Sequence, residues 1–143
     1  MASAATVSGE RVGIDRNTGK TLTGWAHCAQ CLLVLFSTLL NTRLMLLDYG
    51  SDIPGMIDRP GTNATFALLY NAMTQAILKW EPGFRATYFA VVEATGDGAF
   101  TIEIAGLFYP RGHLGDYSIS ENATMRFVMA LTSSGAIFTG TAI

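Results

Sequence analysis

Charge is what this sequence has least of: 9 Lys+Arg and 11 Asp+Glu in 143 residues, 14% of the chain, for a net charge of −2. No run of basic residues stands out. Nucleic acid is therefore not an expected partner, because phosphate contacts need clustered cations. Histidine is scarcer still, with only His27 and the distant His113, so zinc at Cys28 and Cys31 would lack its remaining ligands. Two cysteines within one helical segment do not make a secreted disulfide scaffold, and they fit a reducing cytoplasm. Long apolar runs are missing too. Cys31 to Phe36 is continuously apolar, but Ser37 and Thr38 interrupt it and Asn41 and Arg43 follow, whereas a spanning helix needs roughly 20 apolar residues. No membrane, metal or cofactor is expected.

What the chain does have is apolar bulk, 50% of its residues, enough for one domain with a real core. So charge-poor a surface favours stable association. The densest stretch runs from Gly24 to Ser51. Thr23 stands at the N-cap position, and Trp25, Cys28, Leu32, Leu35, Phe36, Leu39 and Leu40 then recur at helical spacing. Leu33 and Val34 make the opposite side apolar as well. A helix apolar nearly all round is buried on all sides, and a chain this small is not expected to cover it alone. Leu32, Leu33, Leu35, Phe36 and Leu39 are thus the expected subunit interface.

Residues 1–10 read as a flexible N-terminus and 11–143 as a single domain ending in a strand-like tail over about 118–143. Arg11 to Ile14 suggests a short strand, followed by the turn residues Asp15 to Gly19. Gly50 suits a left-handed cap, and Ser51 or Asp52 can open a short helix through Ile57 that Pro60-Gly61 ends. The clearest helix runs from Ala64 to Trp80: Phe66, Leu69, Tyr70, Met73, Ile77 and Trp80 form one stripe, with Thr62 or Asn63 as its cap and Pro82 as its stop. Thr87 to Val92 and Phe100 to Ile104 alternate as strands around Gly96-Asp97-Gly98. Centring that turn on Gly96-Asp97 pairs Val91 with Ile102 and Phe89 with Ile104 on one face, and Val92 with Thr101 and Ala90 with Glu103 on the other. Tyr109 to Gly112 ends the hairpin. Met125 to Leu131 suggests a third strand, and Ser133-Ser134-Gly135 turns into a fourth over Ala136 to Thr141. The expected fold is α+β, two long helices and a short one on an antiparallel sheet of three to four strands.

Candidate chemistry is thin. Cys28 and Cys31 have CxxC spacing, but a reactive thiol wants an exposed helix N-terminus after a strand, and an apolar helix makes them compact core residues. Among the carboxylates, Asp48 and Asp58 are the partners that a small cell-wall hydrolase built on Glu81 would need. Nothing in the sequence places two of them across a cleft, and His113 and Tyr117 have no triad. Glu81 stands apart because it sits at a helix-to-strand corner between Trp80 and Pro82. A partly buried carboxylate there wants a cation, and Arg43 is the expected one. The reading is structural, not enzymatic.

Several segments in order resemble the baseplate wedge proteins of contractile-tailed phages, known as baseplate assembly protein W, with relatives in type VI secretion and other contractile injection machines. They are Gly13 to Lys20 followed by Gly24; Thr42-Arg43-Leu44-Met45 with the Asp48-Tyr49-Gly50-Ser51 corner; Ile57 to Pro60; and Trp80-Glu81-Pro82, which resembles the start of the family's Glu-Pro-Arg signature. The signature arginine is replaced by Gly83, with Arg85 two residues on, so Arg85 or Arg43 is expected to take its ionic role. Leu40-Asn41 replaces a Pro-Gly-like break, so the first helix is expected to run on to about residue 40. The resemblance implies a virion part of the tail baseplate, assembled in the bacterial host cytoplasm. It would bundle with larger wedge subunits and template the first ring of the tail sheath protein, with tube or hub proteins as further neighbours. It also implies strand edges near 86–109 and a C-terminal tail that pair with sheath arms. Relatives are sometimes labelled lysozyme-like, but these residues offer no acid–nucleophile pair.

Overall fold

The computed structural model describes residues 9–57, 59–95, 99–132 and 135–143. The first eight residues of the expected flexible terminus over 1–10, Asp58, the Gly96-Asp97-Gly98 turn and Ser133-Ser134 lie outside the described residues. Strands β1 (Val12–Ile14) and β2 (Thr21–Thr23) form a small antiparallel hairpin. Helix α1 follows over Gly24–Ser37, a 3-10 turn over Ile53–Met56, and helix α2 over Asn63–Trp80. Strands β3 (Phe84–Ala94), β4 (Phe100–Phe108), β5 (Glu121–Thr132) and β6 (Gly135–Ala142) make one antiparallel sheet in the order β3-β4-β5-β6. The architecture is α+β, as the periodicities require.

Helix α2 follows its stripe. Thr62 caps it, its Oγ1 accepting from the Thr65 amide at 3.3 Å, and Leu69, Met73 and Ile77 are buried while Phe66, Tyr70 and Trp80 pack at the margins. The β3–β4 register pairs Val91 with Ile102, Phe89 with Ile104 and Ala90 with Glu103. One expected pair fails. Thr101 faces Glu93 because the register shifts between Val91 and Glu93, and a second shift falls between Ala86 and Tyr88. Each shift adds a residue to β3 that has no partner on β4.

Helix α1 departs further from expectation. It ends at Ser37, with Thr38 already extended, and does not run on to residue 40. Thr38 Oγ1 and Ser37 Oγ both bond back to the Val34 carbonyl, at 2.7 and 3.2 Å, which competes with helix propagation. The returning chain then satisfies the freed carbonyls: the Ser51 amide donates to Thr38 O at 2.9 Å and Ser51 Oγ to Phe36 O at 3.2 Å. Gly50 makes this crossing with φ +127, and a Cβ there would lie 2.4 Å from Thr38 O. The glycine is needed for close approach of two chain segments, not for a helix cap.

The chain also covers α1 itself. Leu32, Leu35 and Phe36 are 0–1% exposed, with Phe36 edge-on to Phe127 at 5.4 Å. Those three cannot present the expected interface while the fold is intact. Leu33 is half-buried against the core, and only Leu39, beyond the helix, is exposed. The missing cover comes from β5 and β6, whose inner residues Met125, Phe127, Met129 and Phe138 close the core. Among the described residues, no helix is long and apolar enough to cross a membrane.

Candidate functional sites: the Glu81 corner and an exposed apolar loop

Glu81 terminates α2, its amide donating to Ile77 O at 2.8 Å, and Pro82 prevents another helical turn. The next residues are pressed against the end of β4. The Tyr109 amide donates to Gly83 O at 2.7 Å, and a Cβ on Gly112 would lie 2.6 Å from Gly83 Cα. This crowding turns the Glu81 carboxylate inward, leaving the residue 5% exposed.

Its cation is Arg11. One guanidinium nitrogen, Nη1, lies 3.0 Å from both Oε1 and Oε2. Arg43 is elsewhere, its guanidinium 4.2 Å over the Tyr49 ring, which meets Trp80 edge-on at 5.1 Å. Arg85 is exposed on β3 opposite Leu107. Neither expected cation takes the ionic role; a residue seventy positions away does, at the start of the expected first strand. The only earlier signal was that Arg11 is the first cation of the chain and opens an expected strand.

Burial pushes the Glu81 carboxyl above the usual carboxylate range, and the Arg11 charge offsets this only in part. Burial alone would lower Arg11, yet the Glu81 carboxylate outweighs it and holds the guanidinium firmly charged. Cys28 Sγ contributes a weak contact to Glu81 Oε2 at 3.9 Å. Burial, with the carboxylate alongside, drives the Cys28 thiol far upward, and Cys31 shifts the same way. These are thiols held protonated, the reverse of what a redox cysteine needs. Among the described residues no group of three or more His, Cys, Asp or Glu is placed to hold a metal ion.

Among the described residues, a small cavity of about 10 Å³ lies beside Glu81, between Arg11, Cys28, Phe108 and His113, room for about one water. That space is far smaller than a sugar ring. Asp48, one of its expected hydrolytic partners, is exposed and bonded to Lys79 Nζ at 3.0 Å. Tyr117 packs on Tyr109 at 5.2 Å.

The second feature is the loop after α1. Leu44 and Met45 are 92% and 97% exposed, and Leu39, Leu46 and Leu47 are exposed beside them. Internal bonds hold the loop in shape: Asn41 N to Leu47 O at 2.8 Å, Leu46 N to Arg43 O at 3.1 Å and Thr42 Oγ1 to Leu39 O at 2.6 Å. Arg43 on Tyr49 pins it to the body. A groove of about 410 Å³ adjoins it, with Leu40, Met56, Leu68 and Trp80 among its walls. Large apolar side chains presented this openly mark a surface that another molecule covers.

The family described as "Baseplate wedge protein gp25" matches residues 24–110. Baseplate protein W of Escherichia phage P2 is 36% identical over 96 residues, spanning 66% of this chain and 82% of that protein. A chain in the cryo-EM structure of the postcontracted baseplate of pyocin R2 superposes with a TM-score of 0.60 at 28% identity, covering 68% of this chain and 98% of that one. A crystal structure of a protein described as a tail lysozyme, from Geobacter sulfurreducens, superposes at 0.58 with 19% identity over 76% and 92% of the two chains, a likeness of fold alone.

Proposed function

The chain belongs to the baseplate wedge protein gp25 family, and from that membership we propose that it is a structural, non-enzymatic part of a contractile-tail baseplate, held among larger wedge subunits by the loop at 39–47. The observation that carries this reading is the exposure of Leu44 and Met45 on a loop braced by its own hydrogen bonds. A mobile loop would lose entropy on docking; this one presents its apolar tip already shaped, which favours binding. The part so held sits in the virion, in the tail baseplate, after assembly in the host cytoplasm. Its sheet then serves as a template for the first sheath ring, with tube or hub proteins nearby. The hydrolase reading has less support, since the carboxylate it needs is locked by Arg11 in a closed corner.

The test is a double substitution, Leu44→Glu with Met45→Glu. Surface changes away from special features fall within about 0.5 kcal/mol, so the melting temperature of the isolated chain should hold. Co-purification with the larger wedge subunits should drop at least tenfold. Undiminished co-purification would sink this assignment of the contact.

A further inference from the structure

The β1–β2 hairpin sits on the body of the protein without entering its core. None of its apolar residues, Val12, Ile14 or Leu22, is among the buried residues that form the core, and Val12 and Ile14 are 61% and 69% exposed. The hairpin is nonetheless one stiff piece. Its strands pair Val12 with Thr23, Gly13 with Leu22 and Ile14 with Thr21. Its turn is braced by the Asp15 amide, which donates to Lys20 O at 2.8 Å. The Asp15 carboxylate adds to this, accepting from Thr18 Oγ1 at 2.7 Å and from the Asn17 amide at 2.9 Å.

The two ends of the hairpin form a base. Arg11, just before β1, is bonded to the buried Glu81. After β2 the chain enters α1 through Gly24 at φ +61, a left-handed conformation that suits glycine. That joint is bare: Thr23 makes no side-chain bond to cap the helix, and no acidic residue stands in its first turn. Residues at the ends of elements are the ones that absorb backbone rotation in hinged motions.

The far end is held differently. The Arg16 amide donates to Gln30 Oε1 at 3.0 Å, and Gln30 Nε2 donates to Ile14 O at 2.9 Å, both at exposed positions. Bonds that water can replace are a weak hold beside a buried charged pair. Between the two ends Gly13 lies flush on the His27 ring, which a Cβ would overlap, so the closed position is a fitted one. A space of about 190 Å³ parts Arg16, Asn17 and Leu22 of the hairpin from Ala26, Ala29 and Leu33 of α1. Those three helix residues, spaced by three and four, lie along one face.

We propose that the hairpin is a latched flap. Arg11–Glu81 and Gly24 stay fixed as its base, Gln30 is its latch, and the turn lifts from α1 while both helices and the four-stranded sheet stay folded. Closed, it roofs the Ala26, Ala29 and Leu33 stripe; open, it leaves that stripe bare. The latch thus sets access to this face of α1. Segments with few buried apolar contacts are those that open locally, below the free energy of global unfolding. The flap is a property of the free chain and stands apart from the baseplate reading.

Two measurements on the isolated, full-length chain test it. In Gln30→Ala, a substitution that favours helix, the Arg16 amide should exchange with solvent at least tenfold faster by NMR, while the amides of α2 and β4 keep their parental rates. Spin labels on Asn17→Cys and Thr139→Cys, with Cys31→Ser and Cys28 left buried, should report a dominant short distance and a minor longer one. The longer fraction should rise at least threefold when Gln30→Ala is added. An unchanged Arg16 rate, an acceleration shared equally by α2 and β4, or one unvarying distance between the labels overturns the flap.

Discussion

Replacing Arg11 by methionine is expected to destabilise the chain by about 3 kcal/mol near neutral pH, while Glu81→Gln costs about 1 kcal/mol. Removing one partner of a buried pair costs roughly 3–5 kcal/mol because the other charge is stranded. Arg11 is itself 38% exposed, so water screens its end and the lower limit applies. The two ends are not equivalent. Arg11 can turn to solvent when Glu81 is neutralised, leaving mainly a lost hydrogen bond of about 1 kcal/mol. The Glu81 side chain, 6% exposed, has no such escape. Acidity should then reveal the mechanism. Glu81 has a folded-state pKa above its ordinary value, so the folded state holds the proton more tightly, and stability falls as pH rises through that interval. Without Arg11 the shift grows and the interval widens upward. The deficit of Arg11→Met should therefore shrink as pH falls toward the ordinary glutamate value of about 4.3. Asp15, Asp48 and Asp116, whose pKa values their local hydrogen bonds lower, lose stability on acidification in both proteins alike and cancel in the difference. Urea unfolding of both single variants and of the double Arg11→Met, Glu81→Gln at several pH values checks this. The double variant should recover most of the loss. A deficit that does not vary with pH would show that Arg11 matters for packing alone.

That pair also marks where the sequence stopped being legible. Local signals were sufficient where one element carried all of them: the stripe, cap and proline stop of α2, and the Phe89–Ile104 and Val91–Ile102 register. They were sufficient to single out Glu81 as buried and in need of a cation, because a helix-to-strand corner is a local fact. Which cation answered was not local. Arg43 was nearer in the pattern, but Tyr49 holds it, and the hairpin that delivers Arg11 includes a second strand, Thr21–Thr23, too short to show any alternation. The bulges in β3 were hidden for a related reason. An added residue leaves a run just as apolar and only the partner strand exposes the slip.

Charge placed on α1 should unfold the chain outright. Its apolar surplus pointed to neighbouring subunits, and on that view Leu35→Glu with Phe36→Glu leaves a soluble fold that cannot assemble. The packing gives the opposite expectation. Truncating a buried phenylalanine costs about 3–5 kcal/mol, and an uncompensated carboxylate in the same space adds several more. Together these consume the about 5–15 kcal/mol that holds a domain of ordinary stability. Phe36 meets Phe127, and Phe127 stacks on Phe138 at 5.9 Å, so the damage spreads from the helix through β5 to β6. We expect no cooperative melting transition in that double variant. Phe36→Leu, closer in volume, should cost only about 1–2 kcal/mol. Leu44→Glu with Met45→Glu also puts two charges in place of two large apolar residues, yet should melt as the parent does. The contrast separates the two surfaces by calorimetry alone, before any partner is added. A Leu35→Glu, Phe36→Glu chain that melts cooperatively at the parental temperature would mean that β5 and β6 do not cover α1, and would return the helix to the list of contact surfaces.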